Sequence, residues 1–448
     1  MAASCAPCSL ALPCPARAYL DQLGGGAPSG SGSAQQQRAR ELSQQIHILR
    51  RALEKEYSVS EKQRRGQALD LFATELDQAE RAYQELMDSA RSAPSGKSLQ
   101  SVPASAEIQH LLPPGTALIE YVVGKEAVSI LTVTVGSVMG TTVPVSPESL
   151  SSRTELMRGL ILGRSPAWVE PAGGLQRLLI APLQRAGYLR SIQHLIIVPD
   201  GVLNYVSFAA LPTGSSTVLG DNFVIAYLPA AAALVTAGTK ESGGRTLLAM
   251  APSDAHLPNA TREVRSIGGL FPRGSLVIVG QGATKTLFKR VAGDYDYVHL
   301  ATHGSLNRNA PWLSSLQLQS DEQNDGRLEL YEILNLKLHA RLVTLSACET
   351  ALGSGYFTDT PAGDEFVGIT RAFLSAGSRS VLASLWAVND ESTRDLMVRF
   401  YRHLRNSGGA DALARAQREI RNSDSRYRNP YYWAAFVMVG GNEIISGK

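Results

Sequence analysis

The spacing of apolar positions divides the chain into two regimes. Between residues 37 and 92, Leu42, Ile46, Leu49 and Leu53 recur at helical spacing, as do Leu69, Phe72, Leu76, Tyr83 and Leu86 after a break near Gly66. Two helices are predicted, either as a hairpin laid on the rest of the chain or as a coiled coil offered to a protein partner. From about residue 106 the pattern changes. "TALIEYVVGKEAVSILTVTVGSVMGTTVPV" is rich in β-branched residues and broken by turns, which predicts a meander. A helical stretch across 146–188 leads to "HLIIVPDGVLNYVSFAALP", a buried strand, a Pro-Asp-Gly turn and a short amphipathic piece.

After residue 244 the chain alternates between strand and helix. "RTLLAMAP", "SLVIVGQ", "YDYVHLATHG", "ARLVTLSACE", "SVLASLWAV" and "YYWAAFVMVG" read as strands, separated by amphipathic helices. Near-continuous apolar strands in this rhythm predict an α/β fold, with a mostly parallel six-stranded sheet covered on both faces. The expected division is a tail and linker over 1–36, the helical hairpin or coiled coil over 37–92, a linker over 93–105, a first α/β half over 106–243 and a second over 244–448.

Composition narrows the function classes. Apolar residues make up 44% of the chain, enough for a large core, and the net charge of +3 gives no global reason to bind nucleic acid or an anionic membrane. No apolar run approaches the roughly 20 residues of a membrane span. Of the four cysteines, Cys5, Cys8 and Cys14 sit in a proline-broken tail and Cys348 stands alone, which is no disulfide framework. The tail's CxxC lacks a fourth ligand and a frame for a metal. A cytoplasmic protein is the default expectation.

Chemistry gathers at two strand ends. "YDYVHLATHG" stops on His303 and Gly304, and "ARLVTLSACE" stops at Cys348. In open α/β sheets, sites form at the carboxyl ends of strands, and adjacent strands lie about 4.8 Å apart. If the two strands are neighbours, an imidazole and a thiol meet. A thiol with an ordinary pKa of about 8.5 is mostly protonated at neutral pH, and a nearby histidine base makes the thiolate that attacks a carbonyl. The small residues that follow let a peptide backbone approach, and N–H groups at Gly304 and Cys348 are candidates for holding an oxyanion. His299, four residues earlier and inside the strand, reads as structural.

These motifs carry a resemblance. "HLATHG", "LVTLSACETALGSG", "GDEFVGITRAFLSAGSRSVLASLWAVND" and "YYWAAFVMVG" resemble the CHAT family of caspase-like, separase-related cysteine peptidases. "HLIIVPDGVLNYVSFAALP" is similar to an upstream block of that family, so the resemblance runs over roughly 106–445. It implies a caspase-like sandwich preceded by a pseudo-peptidase α/β half. It also implies His303 as general base, Cys348 as nucleophile, peptide-bond hydrolysis through an acyl-enzyme, and no metal or cofactor. Many relatives carry tetratricopeptide helices ahead of this domain; residues 37–92 offer at most a hairpin.

Four further residues are candidates for binding substrate. Asp364 and Glu365 precede a helix and either line a pocket for a basic P1 side chain or cap and charge the helix N-terminus. Asp390 lies beyond a strand end and either lines the cleft or caps the next helix. Trp386 is a pocket wall or a core aromatic. The expected function is a cysteine endopeptidase acting on protein substrates, with a regulatory protein partner reached through 37–92. The alternative is a catalytically silent scaffold that binds proteins through the same helices.

Overall fold

The computed structural model describes residues 33–58, 65–92, 104–236, 245–254, 257–271, 274–305, 311–348 and 364–440. The cysteines of the tail, most of the 93–105 linker and residues 349–363 after Cys348 lie outside the described residues.

A single 13-stranded sheet runs through both α/β halves. In the first half, β1 (Thr116–Val123), β2 (Ala127–Thr134) and β3 (Ser137–Pro144) form the antiparallel meander that the turn-punctuated sequence predicted. β1 pairs in parallel with β4 (His194–Val198), and β4 with β5 (Val224–Tyr227). The Pro-Asp-Gly turn after β4 has a structural task here. The Asp200 carboxylate accepts from the Val123 N–H at 2.8 Å and so fixes the end of β1, while Gly201 takes a φ of +53° that favours glycine.

The second half contains the six expected strands, β6 (Leu247–Ala251), β7 (Ser275–Val279), β8 (Tyr297–Ser305), β11 (Leu342–Cys348), β12 (Ser380–Ser384) and β13 (Phe436–Gly440). Their spatial order is β7-β6-β8-β11-β12-β13, parallel except for β13, which runs against β12. β13 meets β5 in parallel and joins the two halves edge to edge. This is the mixed, mostly parallel sheet flanked by helices that the sequence predicted.

The strands alternate with helices because their apolar faces recur at 3.6-residue spacing. In α1 (Ala260–Gly268), Val264 and Ile267 are buried; in α2 (Asp390–Leu404), Leu396, Met397, Phe400 and Tyr401 are; in α3 (Gly409–Ser423), Leu413 and Ile420 are. All belong to one hydrophobic cluster that spans both halves of the sheet.

The stretch between β8 and β11 adds two short strands to the predicted six. Beyond residues 306–310, which are outside the described set, β9 (Ser315–Gln317) pairs with the tip of β8 through Gly304↔Leu316 and Ser305↔Ser315. β10 (Arg327–Glu329) pairs with β9 in turn. The pattern gave no warning because three-residue strands are too short to show a period.

The two N-terminal helices, Ser33–Ser58 and Gly66–Ser92, form a hairpin seated on this arm. Leu42, Ile46, Leu49, Ala79 and Tyr83 are buried against Leu313, and the Tyr83 and Tyr331 rings lie 5.3 Å apart. Arg50 crosses the interface, donating to Glu329 at 2.7 Å and to Glu80 at 2.8 Å. Desolvation pushes the Glu329 carboxyl up to about 7, with Arg50 pulling the other way. Arg50, though desolvated, is held above its ordinary value by Glu329 and Glu80.

Arg50→Ala removes the cation between the buried Glu329 carboxylate and the partly buried Glu80 carboxylate. Because Glu329 can take up a proton in response, the cost is at the low end for a broken buried pair, on the order of 2 kcal/mol. Hydrogen exchange of the hairpin amides should therefore quicken by roughly thirtyfold, with exchange in β11 and β12 unchanged. Equal quickening in the central strands would show that the hairpin is not seated by this contact.

Candidate functional site

The site is built by the register between β8 and β11. These strands are parallel neighbours, and each residue from Leu342 to Cys348 is matched to one from Tyr297 to His303. The last matched pair is Cys348 and His303. The backbone of Cys348 closes β11; its side chain, like those of Asp364 and Glu365, lies outside the described residues.

A buried polar node fixes the phase of that register. Four residues before the His303–Cys348 pair, His299 is matched to Thr344. The Thr344 hydroxyl lies 2.8 Å from the Tyr401 hydroxyl, which lies 3.2 Å from His299 Nδ1. His299 Nε2 is 2.8 Å from Glu263 Oε1, and both side chains are within 2% of full burial. His299 and Thr344 therefore face the same side of the sheet, toward α1 and α2. Strand periodicity repeats every two residues, so positions 303 and 348 fall on that same face.

The histidine has a partner that the sequence did not point to. His303 Nε2 lies 3.2 Å from Asp254 Oδ2. Asp254 follows the end of β6, which flanks β8 on the side opposite β11. The side chains of His303 and Asp254 are 31% and 24% exposed, so the pair borders solvent at the sheet's carboxyl edge. Gly304 is buried and paired with Leu316 of β9, and the Thr302 hydroxyl donates to the Gln317 carbonyl, so this strand tip is braced from the side.

The other candidates are placed as follows. Asp364 opens the helix Asp364–Ser375, with Glu365 next to it. Asp390 accepts from both the backbone N–H and the side-chain amide of Asn259, each at 2.8 Å, and so ties the start of α2 to the start of α1. The cap of α2 is its neighbour Asn389, whose side chain accepts from Ser392 N–H at 3.0 Å. Trp386 is wholly buried, with its indole N–H directed at the Tyr431 carbonyl at 3.4 Å. That is the core placement of the two weighed from sequence: the apolar "VLASLWAV" run carries the ring below the surface. Among the described residues, no group of three or more His, Cys, Asp or Glu side chains is arranged to hold a metal, and no helix is long and apolar enough to cross a membrane.

The fold and this strand-end geometry define a mixed α/β protein with a histidine and a cysteine position side by side at the carboxyl edge of a parallel sheet. The family profile described as CHAT domain matches residues 169–441, and the chain belongs to that family. The match begins later than the resemblance read from sequence and leaves out the β1–β3 meander. Tetratricopeptide repeat protein 28 of Mus musculus is 26% identical over 332 residues, which is 61% of this chain and 13% of that protein. The chain thus spans about an eighth of that relative's length. Among solved structures, the Saccharomyces cerevisiae separase–securin complex aligns with a TM-score of 0.48 at 11% identity, covering 88% of this chain and 37% of that one. The Arg-specific cysteine proteinase gingipain R aligns at 0.37 and 10% identity, covering 60% and 68%.

The two histidines should separate by experiment. His299→Ala leaves Glu263 in the core without its partner and should cost about 3 kcal/mol, read as a thermal midpoint several degrees lower. His303→Ala, at a partly exposed strand end, should stay within about 0.5 kcal/mol of wild type. Comparable losses for both would mean that His303 is structural.

Proposed function

We propose that the protein is a cysteine endopeptidase in which His303 is the general base and Cys348 the nucleophile. The observation that carries this reading is the parallel register that matches Cys348 to His303 at the carboxyl ends of adjacent strands. His303 takes the thiol proton and the thiolate sulfur bonds to the scissile carbonyl carbon, placing negative charge on its oxygen. The backbone N–H groups of Gly304 and Cys348 are the proposed donors to that oxygen. The histidine returns its proton to the leaving amine as the C–N bond breaks. Water then attacks the thioester, which releases the carboxylate and restores the thiol.

Substrate choice is proposed to favour a basic P1 residue, with Asp364 and Glu365 as its acidic partners. Asp390 is the weaker candidate, because both bonds to Asn259 occupy one of its oxygens. A regulatory partner would have to use the outer surface of the hairpin, since its apolar seam is spent on the chain's own body. Among the described side chains, Ile48 and Leu71, at 65% and 55% exposure, are the large apolar residues exposed on these helices.

Cleavage of a fluorogenic peptide library varied at P1 tests the reading. Wild type should cleave peptides with Arg or Lys at P1, and Cys348→Ala and His303→Ala should each lose about a thousandfold or more. Equal turnover of apolar P1 residues would remove the acidic-pocket proposal. Cleavage that survives Cys348→Ala would remove the nucleophile, and a wild-type Cys348 that reacts with electrophiles like a free thiol would favour the scaffold reading.

A further inference from the structure

We infer that Asp254 is a positioning residue for His303, making the site a three-strand relay of carboxylate, imidazole and thiol; this rests on the dyad proposed above. β8 is the middle strand. β11 brings Cys348 into register with His303 on one side, and β6, in register from Leu247↔Tyr297 to Met250↔Leu300, delivers Asp254 just past its own end on the other. Asp254 Oδ2 lies 3.2 Å from His303 Nε2, an ion-pair distance once the ring is protonated.

That contact determines which ring nitrogen works. A carboxylate facing Nε2 favours the tautomer with the proton on that nitrogen; the neutral ring then carries its lone pair on Nδ1, the atom inferred to receive the thiol proton. The carboxylate then faces an imidazolium, so it favours the thiolate–imidazolium pair over the neutral pair. An ion pair of this exposure adds little to folding stability. Its effect falls on ring orientation and on the proton, as expected of a group that acts through another. Asp254 lies three residues beyond Ala251, the last residue of β6, and its partner is held at the tip that β9 braces.

The test is the pH dependence of Cys348 alkylation by iodoacetamide in the full-length protein, read at that residue by mass spectrometry. The reagent reacts with the thiolate, forming the C–S bond as iodide leaves. Wild type should keep reacting well below the ordinary thiol pKa of about 8.5. Asp254→Asn, which keeps the shape and removes the charge, should lower the rate at pH 6 about tenfold with an unchanged thermal midpoint. Asp254→Glu should restore part of it. If Asp254→Asn follows the wild-type profile while His303→Ala loses the acidic limb, the positioning role is overturned and the dyad stands. If wild type and His303→Ala share the profile of a free thiol, the dyad itself is overturned and the relay with it. Loss of the limb in Asp254→Asn together with a lower thermal midpoint that Asp254→Glu does not recover would make Asp254 structural and overturn the inference.

Discussion

The in-phase pairing of β8 with β11 is the constraint on which the site depends. A parallel pair can slip, and a slip of one residue would carry position 348 to the opposite face of the sheet from position 303. Apolar side chains alone resist such a slip weakly, because Val, Leu and Ala are nearly interchangeable along these strands. Directional bonds resist it strongly. His299, Thr344 and Tyr401 meet at one point, with Glu263 behind them, and only one register brings all four together. A polar group left unpaired in that core would cost about 1–3 kcal/mol, and a charged one more. The node is therefore a ruler set four residues below the chemistry.

The same strand is held at its far end by a different device. Its tip pairs with β9 through Gly304 and Ser305, and β9 pairs with β10, whose Glu329 receives Arg50 from the helical hairpin. Ser315 is matched both to Ser305 and to Glu329, so the hairpin's ion pair lies two strand pairings from the tip that carries His303. The N-terminal helices thus belong to the support of the site's strand, although they lie far from it in sequence. Three of their ties to the body involve polar side chains: Arg50 to Glu329, Ser43 to Tyr331 at 2.6 Å, and the packing of Tyr83 on Tyr331.

Much of this was legible in the sequence, for identifiable reasons. The six strands of the second half were readable because strands buried on both faces are near-continuously apolar, and the hairpin because its apolar residues keep helical spacing. His303 and Cys348 stood out because each ends such a run. Asp254 carried no comparable mark. It lies in "APSDAHLP", an ordinary turn sequence, and matters only because β6 is the other neighbour of β8. Strand order in a parallel sheet is a long-range property that the hydrophobic pattern does not encode. A search for acidic residues just beyond every strand end would have collected Asp254 along with several that serve other purposes. Asp390 shows how little position alone decides: lying beyond a strand left both a cleft residue and a helix cap open, and in the fold one of its carboxylate oxygens ties the start of α2 to the start of α1.

The contrast between His299 and His303 shows how one strand assigns two roles to one residue type. Both project from the same face of β8, four positions apart, and each has a carboxylate on its Nε2, Glu263 for one and Asp254 for the other. The chemical pairs are alike, and depth separates them. At 299 the strand is covered by α1 and α2, the pair is sealed from water, and the second ring nitrogen is taken by Tyr401. At 303 the strand has reached the sheet's edge, the pair borders solvent, and the strand position beside it is a cysteine rather than a threonine. A buried pair with both nitrogens occupied can only hold the sheet in register. An edge pair with one nitrogen facing a carboxylate and a thiol position alongside has the composition required for proton transfer. The fold thus uses a single motif twice along β8, once as a fastening and once, on the reading proposed here, as the reactive end.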